Sequence, residues 1–153
     1  LSAFDHWIKE VKGIKHYFRY MDDIVILHKS KEYLHQLRKE IDEYFRKELK
    51  LTIKENWQVF PTFKRGIDYV GYRSFLEFTL LRKSTCKGMK KKMVAINKKR
   101  LNGLPLTYSE WCSINSYKGW LIHCDGYRLE QKYIQPLQQY ANQFYIQNIK
   151  MKG

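Results

Sequence analysis

Apolar residues recur at positions 1, 4, 7, 8 and 11, the spacing of one helical face, and Gly13 closes that stretch. The period then changes. His16-Tyr17-Phe18-Arg19-Tyr20 is short and aromatic, and Ile24-Val25-Ile26-Leu27 is an unbroken β-branched and apolar run. Both predict strands, the second fully buried, with Met21-Asp22-Asp23 as the turn between them. The expected unit is a β-hairpin carrying two acids at its tip. Ser30 is a predicted helix N-cap. Leu34, Leu37, Ile41, Tyr44, Phe45 and Leu49 follow at three- and four-residue steps and predict an amphipathic helix over 31–49.

Shorter runs come next. Leu51–Ile53, Trp57–Phe60, Ile67–Tyr72 and Phe78–Leu81 predict the strands of a small meander, with Gly66 and Gly71 marking a bend or a close backbone approach. Helical spacing resumes at Met89, Met93, Ile96 and Leu101, until Asn102-Gly103-Leu104-Pro105 breaks it. Thr107-Tyr108-Ser109-Glu110 has capping-box spacing and predicts a helix through Cys124, stopped by Asp125-Gly126. A third helical stretch starts at Tyr127, with Pro136 kinking or dividing it.

Composition adds a partner to this α+β outline. The chain has 153 residues, 44% of them hydrophobic and 29% charged, as a folded domain needs. No run of about 18 apolar residues predicts a transmembrane helix. No secretion signal opens the chain, and Leu1 in place of Met implies a start that is cut or internal. Cys86, Cys112 and Cys124 form no C-x-x-C pair, which argues against a disulfide framework or a zinc knuckle. His123-Cys124-Asp125 has ligand-type side chains, but adjacent helical positions point in different directions.

The net charge is +14, and it is uneven: residues 1–60 carry +2 and residues 61–153 carry +12. No acid occurs from Thr79 to Ser109. Within that stretch Arg82, Lys83, Lys87, Lys90, Lys91, Lys92, Lys98, Lys99 and Arg100 make a surface suited to tracking phosphates. This favours a nucleic-acid partner over a membrane. Trp111, Tyr117, Trp120, Tyr127 and Tyr133 offer flat rings for base stacking, although their near-helical spacing weighs more toward core packing.

The two acids are the sharpest chemical feature. Asp22 and Asp23 interrupt two hydrophobic strands, and a tight turn there aims both carboxylates away from the sheet. Such oxygens suit a hard divalent cation that is completed by substrate phosphates; an ordinary solvated turn uses aspartate as well.

Phe18-Arg19-Tyr20-Met21-Asp22-Asp23-Ile24-Val25-Ile26-Leu27 resembles the catalytic Y-x-D-D hairpin of reverse transcriptases. The helix 31–49, Leu49-Lys50-Leu51-Thr52-Ile53, Gly66-Ile67-Asp68-Tyr69-Val70-Gly71-Tyr72 and the basic tail from Leu80 follow in that family's order. The subgroup resembled is bacterial, of the group II intron and diversity-generating retroelement type. The resemblance implies an α+β fold, with the C-terminal part of a palm over 1–83 and a helical thumb over 84–153. It implies RNA-directed DNA polymerisation in a bacterial cytoplasm, with Asp22 and Asp23 holding Mg²⁺ (or Mn²⁺) for deoxynucleoside triphosphate substrates. Tyr20, Met21 and Gly71 would then lie near the primer or nucleotide, and the basic residues would grip an RNA template or RNA–DNA duplex. The further expected partners are the fingers and first palm segment of the same polypeptide, together with an accessory protein. The 153-residue piece alone is expected to be inactive. The chain departs from the family where a Lys-Thr pair normally follows the Leu-x-Leu strand: Trp57-Gln58 stands about there, with Lys50 and Lys54 only as neighbours. The alternatives are a maturase-like RNA-binding module without catalysis, and an antiphage polymerase of the same fold.

Overall fold

The computed structural model describes residues 1–148; the last five positions of the expected helical unit lie outside the described residues. The fold is α+β, with small antiparallel sheets among helices. It comprises two compact units, Leu1–Lys64 and Arg65–Gly153. The meander belongs to the second unit, so the compact units divide at 64/65 and the expected palm–thumb line falls at 83/84.

The first unit begins with α1 (Ser2–His6), which runs on into a wider π-type turn, Trp7–Val11. Gly13, at φ +64°, then reverses the chain, a conformation that glycine adopts without steric cost. β1 (Tyr17–Tyr20) and β2 (Asp23–Ile26) pair antiparallel. Asp23 pairs with Tyr20, so the turn is Met21-Asp22 alone and Asp23 already belongs to the ladder. β2 is half-buried, contrary to the expectation of full burial, because a two-stranded ribbon has only one face to pack. α2 (Lys31–Tyr44) starts where expected: the Ser30 side chain accepts the Tyr33 N–H at 3.0 Å. Its end widens into a π-type turn, Phe45–Leu49, closed by Lys50 in the left-handed region.

Phe4, Ile8, Ile14, Leu37, Ile41 and Phe45 form the buried core of this unit, and Tyr17, Ile24 and Ile26 pack against it. Leu51–Ile53 and Trp57–Phe60 are irregular, which corrects the strand expectation. Ile53 packs against the core of this unit without a ladder, and the Arg38 guanidinium lies 4.6 Å over the Trp57 ring. A single turn, α3 (Thr62–Arg65), ends the segment.

A polar clasp ties α1 to the hairpin. The Asp5 carboxylate accepts from Arg19 Nε at 2.7 Å, from the second Arg19 nitrogen at 2.6 Å, and from the Tyr17 hydroxyl at 2.5 Å. The Arg19 hydrogen bonds, opposed by partial burial and aided by Tyr17, hold Asp5 at about 2, against an ordinary 3.8. Burial and the Asp5 charge push the Tyr17 phenol upward. A depressed carboxyl contributes stability that is complete above its unfolded value and is lost as pH falls through its folded one. The urea midpoint of this unit is therefore expected to drop between pH 4 and pH 2. Asp5→Asn lowers the pH 7 midpoint and flattens that acid limb. An unchanged limb in the variant would assign the acid sensitivity to another group.

In the second unit β3 (Ile67–Tyr69), β4 (Tyr72–Ser74) and β5 (Thr79–Leu81) form one sheet in sequence order. The stretch 67–72, expected as one strand, is split by the tight turn Val70-Gly71, both at positive φ. Asp125 closes the outer side of β5: its carboxylate accepts the Thr79 N–H at 2.9 Å and its own N–H reaches the Thr79 carbonyl at 2.8 Å.

α4 (Lys83–Leu101) buries Met89, Met93 and Ile96. α5 (Tyr108–Ile122) opens on the expected capping box, Thr107 and Glu110, and ends at Ile122, two residues short of Cys124. α6 (Tyr127–Leu129) passes through a π-type turn, Glu130–Ile134, into α7 (Gln135–Asn148). That turn lies just ahead of Pro136, whose missing N–H and bulky ring disturb regular α pairing. Leu81, Leu106, Ile114, Leu121, Ile134, Leu137 and Ala141 complete the core of the unit. Trp111, Tyr117 and Tyr133 pack half-buried against it, whereas Trp120 and Tyr127 are exposed.

Candidate functional site

The hairpin register sorts its side chains. Tyr17, Arg19, Ile24 and Ile26 share the core face, and Phe18, Tyr20, Asp23 and Val25 share the other. On that outer face Phe18 is 49% exposed and Tyr20 is 52% exposed, with Met21 at 69% beside them. Met21 has φ +53°. A non-glycine residue held there stores about 1 kcal/mol or more of backbone strain. The Arg19 guanidinium donates to the Met21 carbonyl at 3.0 Å, which braces the turn from the core side. An unfavourable backbone, braced from below, thus presents Asp22 and Asp23 to solvent.

Asp22 has a partner that lies far off in sequence. Lys54 Nζ donates to its carboxylate at 2.8 Å. This hydrogen bond holds the Asp22 carboxyl below its ordinary range and pushes the Lys54 ammonium up. Both side chains are largely exposed, so the pair adds little stability. It does put a cation against the acids, and it is Lys54 that stands there, while Lys50 closes α2. Among the described residues no group of three or more His, Cys, Asp or Glu side chains comes together. Two successive carboxylates fit the oxygen share that Mg²⁺ or Mn²⁺ takes from a protein when substrate phosphates and water supply the rest.

Gly71 has a packing role. At φ +84° it lies under the Trp120 ring, and a Cβ at this position would collide with that ring. Tyr72 stacks on Trp120 at 5.7 Å and donates its hydroxyl to the Trp120 carbonyl at 3.0 Å. The packing of the second unit thus accounts for a glycine here.

The basic run is partly compensated in space, which corrects the impression left by its acid-free sequence. Lys99 pairs with Glu110 through two 2.8 Å hydrogen bonds, and Arg82 pairs with Asp68 at 2.5 Å. Arg100 donates to Asn97 at 2.9 Å, and Lys90 lies 5.9 Å over the Tyr133 ring. Lys83, Lys87, Lys91 and Lys98 are exposed, at spacings that share one outward face of α4. Lys92 turns toward α5.

A cleft of about 420 Å³ lies where the meander meets the start of α4, lined by Asp68, Arg73, Arg82, Lys83, Ser84 and Lys87. Among the described residues Arg73, Lys83 and Lys87 make no ion pair. Arg73 escapes sequence reading because β4 begins inside the 67–72 segment, which reads as one strand. Lys54 reads in the sequence only as a basic neighbour, and its pairing with Asp22 escapes because the two lie 32 positions apart.

No protein-family model matches this sequence, and no curated protein matches it. No helix among the described residues is long and apolar enough to cross a membrane.

Proposed function

We propose that this chain is the end of the palm and the thumb of an RNA-directed DNA polymerase. One observation carries the reading: the strained Met21 turn, which presents Asp22 and Asp23 beside the exposed Tyr20. Backbone strain retained at a solvent-facing acidic turn is a mark of a working site more than of a loop chosen for stability. Asp22 and Asp23 would hold the divalent cations. Bound there, Mg²⁺ supplies activation of a primer 3′-hydroxyl and neutralisation of triphosphate charge. Tyr20 offers an apolar surface next to the acids, against which a primer terminus can rest. Lys54, whose ammonium lies 2.8 Å from the Asp22 carboxylate, would supply a positive charge near the pyrophosphate that such a reaction releases. The exposed face of α4 would follow the duplex backbone.

The Lys54–Asp22 pair also favours a second reading, a non-catalytic RNA-binding module whose hairpin needs no metal. Primer extension by the complete polypeptide separates the two: template-dependent synthesis supports the polymerase, and RNA binding without synthesis supports the module.

Both readings need the α4 face. Replacing Lys83, Lys87 and Lys91 together by Ala is expected to weaken duplex binding for every sequence tested. The slope of log affinity against log salt becomes shallower by about 0.9 for every phosphate that is no longer neutralised. Anisotropy titrations at several salt concentrations measure both; an unchanged slope would reduce this face to a solvated surface.

A further inference from the structure

A second depression adjoins the basic cleft. It is a groove of about 600 Å³ between α4 and α5, and Ser84 lines both. Gly88 and Lys92 continue its α4 wall; Ser109, Ser113 and Ser116 line its α5 wall. From Ser84 to Lys92 the α4 wall is roughly 12 Å long at 1.5 Å per helical residue. Among the described residues no carboxylate lines this groove, and Lys92 is the one cation that lines it. The two depressions therefore differ in chemistry. The cleft offers charge, and the groove offers hydroxyls.

Ser113 decides what the groove can take. Its hydroxyl donates to the Ser109 carbonyl at 2.7 Å. The hydrogen is spent inside the helix, so the oxygen presents only lone pairs to the groove. A phosphodiester oxygen is an acceptor as well and gains nothing from it. A ribose 2′-hydroxyl can donate to it, and a deoxyribose cannot.

We propose that the α4–α5 groove binds the sugar edge of an RNA strand, with Ser113 accepting from a 2′-hydroxyl while the adjoining Arg73, Lys83 and Lys87 hold its phosphates. This rests on the nucleic-acid reading above and adds to it which strand the helical unit prefers. Lys92 provides a phosphate contact inside the groove. The fit is to the sugar–phosphate edge and makes no use of base identity, so the preference is for RNA as a class.

The test uses the 153-residue chain and a labelled RNA–DNA hybrid whose RNA strand carries either ribose or 2′-fluororibose throughout. Fluorine keeps the A-form pucker and removes the donor. The wild-type chain is expected to bind the ribose hybrid about five-fold tighter, the worth of one net hydrogen bond. Ser113→Ala abolishes the difference while leaving affinity for the fluorinated hybrid and the thermal midpoint unchanged. Ser113→Thr, which keeps the acceptor and the same internal bond, retains the preference. Equal affinity of the wild-type chain for the two hybrids would overturn the groove assignment and leave nucleic-acid binding standing. A preference that survives Ser113→Ala would likewise overturn it, by moving the reader elsewhere. Failure to bind either hybrid at low salt would overturn the nucleic-acid reading itself, and the groove proposal with it.

Discussion

If the proposed reading holds, Asp22→Ala or Asp23→Ala, introduced into the complete polypeptide, is expected to cut nucleotide addition by about a thousand-fold or more while leaving duplex binding intact. Removing a single preorganised group that stabilises developing charge already costs about 10²–10³ in rate, and these two residues would carry the metal sites as well. Binding survives because it draws on the α4 face and the cleft beside it. The two variants differ in one respect. Asp22→Ala frees Lys54, whose ammonium then loses the interaction that raises its pKa, whereas Asp23→Ala leaves that pair in place. Single-turnover primer extension in Mg²⁺, alongside anisotropy on the same duplex, measures both quantities. Full extension by either purified variant would remove the hairpin from catalysis and overturn Asp22 and Asp23 as the residues that hold the metal.

The largest expected effect on stability belongs to Gly71→Ala. Two costs combine at this residue. A side chain at φ +84° carries roughly 1–3 kcal/mol of backbone strain. Its Cβ also drives into the Trp120 ring, and overpacking of that kind costs about 1–3 kcal/mol. The sum is about 2–6 kcal/mol, a large part of the 5–15 kcal/mol that holds a typical domain together. Trp120→Ala in the same background removes the collision but keeps the strain, so a double-mutant cycle separates the two. Urea unfolding monitored by circular dichroism is the measurement. A destabilisation below about 1 kcal/mol in Gly71→Ala would mean that the Val70-Gly71 turn relaxes to another geometry.

Features written in neighbouring residues were legible in the sequence. Ser30 and Thr107 cap their helices because an N-cap needs only the first turn that follows it. The hairpin was legible because its two apolar runs flank a short polar turn. Leu51–Ile53 and Trp57–Phe60 carry a strand signal with no strand to answer it; ladder pairing is non-local, and a short apolar run does not say whether a partner exists. The acid-free run of α4 misleads in the same way. Glu110, eleven positions after Lys99, and Asp68, fourteen before Arg82, return to it only through the fold. Of the candidate site, the acidic tip was legible, but the 32-residue return of Lys54 to Asp22 was not. Gly71 reads in the sequence as a place of close approach, and only the three-dimensional packing identifies the Trp120 ring as what approaches.

The clasp between Asp125 and Thr79 bears on how this protein behaves when crowded. An open sheet edge recruits any passing strand by offering unsatisfied backbone groups. At the outer margin of β5 the Thr79 N–H and carbonyl are both taken by Asp125. That margin is sealed from within the molecule by a residue on the loop after α5, so intermolecular strand addition there must first break two hydrogen bonds. A concentrated solution of the chain thus loses one of its routes to ordered aggregates, and Asp125→Ala would free the Thr79 N–H while the backbone bond to the Thr79 carbonyl stays.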